Sequence, residues 1–307
     1  MNTLLEGFRY ESDAWSSTTS PSHAVIFGMG GSSLPARLIA SLPDAPKITL
    51  LSDYAPGQQH RIHESDRTIF ISYSGDTEEV LEAIKYHKTL DSAVITTGGA
   101  LLAYAREHNI TAYVIPTTNQ EPRDAVGYLT KALMHALHMK ESIHRLATLE
   151  IKEEHFGERA ESLASFFATR VPLIYSGVHQ TGVAYYLKIT LNETAKTHAF
   201  VNTLPELCHN ELEAFASAQN VPVAPVFLID PSDHPRVALR ASLLEDILNE
   251  KGIQTRMFTL QGETPEERML EGVLLSNMIG DAVARHAGIT SHETPLIASL
   301  KKSLNAS

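Results

Sequence analysis

Cysteine is nearly absent from this chain: Cys208 is the only one among 307 residues. A single thiol can close no intramolecular disulfide and can assemble no thiolate metal cluster. Positive charge is also scarce, with 25 Lys and Arg against 36 Asp and Glu, a net charge of −11. Such a surface repels nucleic acid and anionic lipid, and no Lys/Arg-rich run interrupts it. Long hydrophobic runs are missing too, so no segment reaches transmembrane length. The first residues, Met1-Asn2-Thr3-Leu4-Leu5-Glu6, place no basic segment before an apolar core. The chain therefore reads as a soluble, cytoplasmic protein without polymer or membrane partners.

What is present is a repeated alternation of short apolar runs with helical patterns. The runs are Ala24-Val25-Ile26-Phe27, Ile48-Thr49-Leu50-Leu51, Thr68-Ile69-Phe70-Ile71, Ala93-Val94-Ile95-Thr96 and Ala112-Tyr113-Val114-Ile115. They predict an α/β fold with a parallel sheet covered by helices on both faces. After a charged helical stretch over 149–165 the plan restarts, with strands expected at 171–175, 221–229 and 254–258. Two domains follow, 1–150 and 151–307, without a low-complexity linker.

The densest chemistry lies at Ser72-Tyr73-Ser74-Gly75-Asp76-Thr77, three hydroxyl-bearing Ser and Thr side chains and a glycine between a strand and the helical pattern that starts at Glu78. Hydroxyls and the first amides of a helix converge on an anion, and the helix dipole favours its charge. An ordinary Ser/Thr helix cap is the simpler alternative. The first strand runs into Gly28-Met29-Gly30-Gly31-Ser32-Ser33, where glycine lets backbone amides approach an anion. A dinucleotide fingerprint asks for a third glycine at the position of Ser33, although Asp53 stands where its acid belongs. A hydroxyl at Ser33 suits a monophosphate better. Glu121-Pro122-Arg123-Asp124 follows the fifth strand and is expected to open a helix with Pro122 in its first turn. Arg123 is then either a surface charge or a stabiliser of oxyanion charge beside the same crevice.

In the second half, Asn192-Glu193-Thr194-Ala195-Lys196 and Pro205-Glu206-Leu207-Cys208-His209-Asn210-Glu211 bring a carboxylate and an imidazole suited to proton transfer. Alternatively Glu193 pairs with Lys196, and His209 caps a turn. A metal site on His198, Glu206 and His209 matches no common zinc spacing. The end of the chain predicts a short helix started by Thr294 and Pro295, with Lys301 and Lys302 in its last turn.

Taken in order, these motifs resemble the bifunctional phosphoglucose/phosphomannose isomerase family, built from two sugar isomerase (SIS) domains. The resemblance spans Gly28 to Lys301. It implies two flavodoxin-like, three-layer αβα domains and a metal-free, cofactor-free aldose-ketose isomerisation. Fructose 6-phosphate would interconvert with glucose 6-phosphate and mannose 6-phosphate through a cis-enediol. Ser33, Ser72, Ser74 and Thr77, with the backbone around Gly31 and Ser32, would hold the 6-phosphate. Glu193 would move the proton between C1 and C2, His209 and Lys301 would open the ring, Arg123 would stabilise the enediolate, and Thr294 would lie near C2. The family also implies a homodimer whose active site forms between subunits, with the histidine given by the partner.

Two positions depart from the family pattern: Asp76 stands where Asn is usual, and Thr194 where Asn is common. Asp76 puts a negative charge near the phosphate unless its side chain turns away. Another SIS-type enzyme acting on a different sugar phosphate or an aminosugar phosphate is one alternative, and a non-catalytic sugar-phosphate sensor is another. The sensor class pairs its SIS domain with a basic DNA-binding segment, and this sequence has none.

Overall fold

The computed structural model describes residues 2–12, 19–54, 62–117, 121–149, 156–217, 222–290 and 293–304. The chain divides into two compact units, one made of Met1–Ile151, Val178–Tyr185 and Leu260–Leu274, the other of Lys152–Gly177, Tyr186–Thr259 and Leu275–Ser307.

The first unit opens with α1 (Asn2–Arg9) and continues through β1 (His23–Gly28), α2 (Leu34–Ile39), β2 (Lys47–Leu51), β3 (Arg67–Ile71) and α3 (Glu78–His87). It then adds β4 (Ser92–Thr96), α4 (Gly99–Glu107), β5 (Thr111–Val114), α5 (Val126–Ala136) and α6 (Lys140–Thr148). All its strands are parallel, in the order β2-β1-β3-β4-β5. β3 and β4 are buried at every position, as strands covered on both faces must be. Val25, Phe27, Phe70, Val80, Ile84, Val94 and Leu101 fill one face, with the Phe27 and Phe70 rings stacked at 4.9 Å. On α1 and α5, Gly7 and Gly127 let the two backbones touch, since a Cβ on Gly127 would stand 2.7 Å from the Leu4 carbonyl.

The remaining elements are α7 (Phe156–Phe167), β6 (Val171–Ser176), α8 (Thr181–Glu193), β7 (Phe200–Thr203), β8 (Val223–Ile229), α9 (Pro235–Glu250), β9 (Arg256–Thr259), α10 (Pro265–His286) and α11 (Pro295–Leu304). The second sheet is again parallel, in the order β7-β6-β8-β9. Its core gathers Tyr175, Leu204, Leu207, Phe227, Leu244 and Leu248. Its four strands repeat the order of β2-β1-β3-β4 in the first sheet, with β6 in the place of β1 and β8 in that of β3, and β5 has no counterpart. Among the described residues no helix is long and apolar enough to cross a membrane.

The expected strands of the first half lie within a residue of the observed ones. One strand, β7, lies where the sequence suggests none, because its residues sit within a polar stretch, and one reading of the sequence needs correction. The helix expected at Pro122 begins at Val126; residues 122–125 form a turn in which the Asp124 amide donates to the Glu121 carbonyl at 2.8 Å. Of the helix expected over 149–165, residues 150–155 lie outside the described residues.

Candidate active site

In the first unit β1 and β3 are neighbours, and the strand order reverses between them. The loops that leave such adjacent carboxyl ends flank the crevice where open α/β sheets bind ligands. After β1 the chain turns through Gly30, whose φ of +49° favours glycine. The Ser32 amide donates to the Met29 carbonyl at 2.9 Å, and the Ser33 hydroxyl donates to the Gly30 carbonyl at 2.8 Å. Ser33 thereby holds the turn closed. Ser32 joins it to the next loop, its Oγ accepting the Tyr73 amide at 3.0 Å.

That second loop, residues 72–77, is stitched from within. Ser72 Oγ accepts the Gly75 amide at 3.0 Å and shares a 2.8 Å hydrogen bond with Thr77 Oγ1. Ser72 is fully buried, whereas Ser74 is exposed and accepts the Asp76 amide at 3.3 Å. The inner hydroxyls therefore shape the loop. Ser74 is left at its rim, beside the N-terminus of α3.

A second glycine turn, which the sequence reading did not single out, supports this loop from behind. Gly75 has φ +79°, and a Cβ there would stand 1.9 Å from the Gly98 carbonyl oxygen. Gly99 has φ +67°, and its Cβ would meet the Ser74 carbonyl at 2.4 Å. The Leu101 amide donates to the Gly75 carbonyl, and the Thr97 amide and hydroxyl both donate to that of Tyr73. The only local signal was Thr96-Thr97-Gly98-Gly99 directly after a strand. Asp76 finds its partner here: Oδ1 accepts the Ala100 amide at 2.9 Å, in the first turn of α4. Its charge faces the positive end of that helix's dipole.

Arg123 is only 1% exposed. Its backbone presses on the first turn, since a Cβ on Gly31 would be 2.8 Å from the Arg123 amide nitrogen. Gly31, Ser32, Ser72, Ser74, Thr77 and Arg123 thus belong to one connected group of loops at the carboxyl edge of the sheet.

In the second unit Glu193 is the last residue of α8. Lys196 follows with φ +53°, and its ammonium donates to the carbonyls of both Glu193 and Glu293. This ties the end of α8 to the residue before Thr294, whose carbonyl accepts the Ala298 amide at 3.0 Å as α11 starts. Lys301 and Lys302 are exposed in the last turn of α11. His209 is exposed at the end of a short 3-10 turn, Glu206–His209.

Just beyond it lies a carboxylate the sequence reading left without a role. Glu211 accepts the Tyr175 hydroxyl at 2.6 Å and the Asn202 amide at 2.7 Å. Burial, and then the Glu211 carboxylate, push the Tyr175 phenol far above its ordinary range. Glu206 accepts from the Asn210 side chain at 2.8 Å. Among the described residues no group of three His, Cys, Asp or Glu side chains is arranged to hold a metal ion, which leaves the His198, Glu206 and His209 alternative without support.

Residues 156–304 match the family described as the bacterial phospho-glucose isomerase C-terminal SIS domain. The chain is 28% identical to a bifunctional phosphoglucose/phosphomannose isomerase of Thermoplasma volcanium, over 91% of this chain and 90% of the relative. It is 26% identical to the enzyme of that name from Aquifex aeolicus, over 98% and 97%. A D-glucosamine-6-phosphate 4-epimerase of Sulfolobus acidocaldarius is 29% identical over 67% of this chain and 68% of its own length. Among solved structures, a hypothetical protein of Thermus thermophilus superposes with a TM-score of 0.67 at 17% identity, covering 99% of this chain and 88% of that one. The tagatose-6-phosphate ketose/aldose isomerase of Escherichia coli does so with a TM-score of 0.63 at 14% identity, covering 95% and 89%. The repeated sheets, the hydroxyl-lined loops and these likenesses agree: over nearly its whole length the chain is similar to bifunctional phosphoglucose/phosphomannose isomerases, and its residues 156–304 match a SIS domain.

Proposed function

We propose that the protein interconverts glucose 6-phosphate and mannose 6-phosphate with fructose 6-phosphate through a cis-enediol, without metal or cofactor. The observation that carries this reading is the connected group of loops after β1 and β3, a glycine turn and a hydroxyl loop whose exposed serine adjoins a helix N-terminus. Such an arrangement suits a phosphate monoester. In this proposal residues 1–150 act as the phosphate-holding domain and 151–307 as the catalytic one.

Each role follows from what the chemistry demands. Binding the phosphate through Ser74, Thr77 and the loop amides, on the frame made by Gly31, Ser32, Ser33 and Ser72, supplies energy that orients C1 and C2. A carboxylate must carry the proton between those carbons, and Glu193 takes that part. The enediolate oxygen needs a fixed positive partner, which is Arg123. His209, helped by Lys301, opens the sugar ring, and Thr294 contacts the C2 hydroxyl. The working form is a homodimer in which the partner copy provides His209. Its compartment is the cytoplasm, where charged sugar phosphates are retained.

Purified protein supplied with fructose 6-phosphate in the presence of EDTA is expected to form both aldose phosphates. If neither forms, the reading fails. Glu193→Gln is expected to lower turnover by about a thousandfold while substrate affinity stays within a few-fold, because the base is lost and the shape is kept. Loss of binding with turnover per bound complex preserved would remove Glu193 from this role. The likeness to a glucosamine-6-phosphate epimerase favours an aminosugar phosphate as the second reading. Glucosamine 6-phosphate in the same assay separates the two.

A further inference from the structure

The first unit contains a cavity that the proposed isomerisation does not use. It measures about 420 Å³ and is lined by Arg37 and Ser41 beside Ile48, Leu50, His179 and Thr181. That volume lies in the range of small-molecule sites, roughly 300–1,000 Å³. The walls come from α2, from the edge strand β2, and from the segment Val178–Tyr185 of the same unit. This segment is fixed in place: the Ser41 hydroxyl donates to the His179 carbonyl at 2.9 Å. A Cβ on Gly182 would stand 2.3 Å from the Arg37 carbonyl, so the two backbones touch.

Arg37 gives the cavity its chemistry. Its guanidinium lies 4.0 Å from the centroid of the Tyr185 ring, which holds the fork flat and fixed. Its Nε is buried and has no hydrogen-bond partner among the described residues. Arg37 as a whole is only half-buried, and a charged fork of this kind pairs readily with an acidic group. Among the described residues no Asp or Glu lines the cavity, although the chain carries a net charge of −11. Ile48 and Leu50, two residues apart on β2, give it an apolar wall.

We propose that this cavity is a second ligand site, for a compact organic oxyanion whose acidic group pairs with Arg37 and whose apolar body lies on Ile48 and Leu50. The site stands apart from the hydroxyl loops and does not rest on the isomerase reading.

Benzoate is a suitable probe, with inorganic phosphate as the comparison that lacks an apolar body. Calorimetric titration is expected to show one benzoate bound per chain, more tightly than phosphate at this site. Arg37→Met should weaken benzoate about tenfold or more, as loss of a charge-assisted hydrogen bond implies, while Ser74→Ala leaves it unchanged. Arg37→Lys should recover part of the affinity. Ile48→Trp, which fills the cavity from β2, should abolish binding and covers the case in which Arg37→Met does not fold. Absence of benzoate binding, indifference to Arg37→Met and Ile48→Trp, or loss of binding in Ser74→Ala would each overturn the proposal.

Discussion

The two units repeat one sheet plan yet furnish the same point of it with opposite chemistry. In the first, the ends of β1 and β3 carry hydroxyls and glycine amides. In the second, the ends of β6 and β8 carry Gly177 and the run Asp230, Ser232, Asp233. A Cβ on Gly177 would stand 2.3 Å from the Asp233 carboxylate, so that carboxylate already lies against the turn. Asp233 also accepts the Asp230 amide at 3.1 Å, and Asp230 accepts the Ser232 amide at 2.8 Å. Under the proposed function the first switch point takes an external anion, whereas at the second an anion of the chain itself lies against the turn. A duplicated fold keeps its backbone logic while its loops decide which copy binds.

The sharpest way to break this comparison is to add one methyl group to each turn. At Gly75 the new Cβ meets backbone, the Gly98 carbonyl at 1.9 Å, and φ is +79°. Neither partner can yield without moving the loop, and the conformation alone costs about 1–2 kcal/mol. Gly75→Ala is expected to weaken sugar-phosphate binding by about a hundredfold, the scale of a displaced binding group. At Gly177 the Cβ meets a side chain, which can turn away. Gly177→Ala should cost about 1–3 kcal/mol of stability and leave turnover of the folded fraction within about twofold. Adding Asp233→Ala should return part of that stability, and urea melts of both singles and the double measure the coupling. Equal loss of sugar-phosphate binding in Gly75→Ala and Gly177→Ala would dissolve the distinction between the units.

The same contrast explains what the sequence could and could not disclose. Buried parallel strands are continuous apolar runs, so β1, β3 and β4 were legible at once. β7 is a sheet edge with Phe200 exposed and Asn202 bonded to Glu211, and its Phe-Val-Asn-Thr pattern merges with the polar residues around it. The hydroxyl loop announced itself by composition. Its support did not, because Gly75 and Gly98, or Asp76 and Ala100, are joined only through the sheet. Pro122 suggested a helix start, but the Pro122 and Arg123 backbone lies against Gly31, and the helix waits until Val126. Asp233 at Gly177 likewise joins two strand ends remote in sequence.

The opposite, amino-terminal edges of the two sheets differ as well, and acid should sharpen that difference. In the first unit His23 Nδ1 is 3.0 Å from Asp66 and Nε2 is 2.9 Å from Thr49 Oγ1. In the second, Val171 pairs with Val223. Burial pushes the Asp66 carboxyl up, but the His63 amide and the His23 ring outweigh it and hold it below the ordinary value. The unfolded chain then binds the proton more readily than the folded one. This stabilisation is present above the unfolded pKa, about 4, and is lost as pH falls through the folded value. Asp66→Asn is expected to cost about 1–3 kcal/mol at pH 7, with the gap from the parent closing as pH drops below about 4. A gap that stays constant on acidification would show that the Asp66 charge contributes nothing.

The smallest expected effect concerns the one acid in the first unit's loop. If Asp76 faced the phosphate, it would be the counterpart of Asp233, an internal anion competing with the ligand. Its Oδ1 instead accepts the Ala100 amide, and Gly99 is kept free of a Cβ that would stand 2.7 Å from that oxygen. Asn at this position preserves the acceptor and removes the charge, so a helix-dipole contribution of about 0.3–1 kcal/mol is what Asp76→Asn gives up. Thermal melting should fall slightly, and the KM for sugar phosphate should change by less than about threefold, since a screened charge turned from the ligand exerts little on it. A KM lowered by about tenfold, the equivalent of about 1.4 kcal/mol, would mean that Asp76 opposes the phosphate after all. The first unit would then be a partly occupied version of the second.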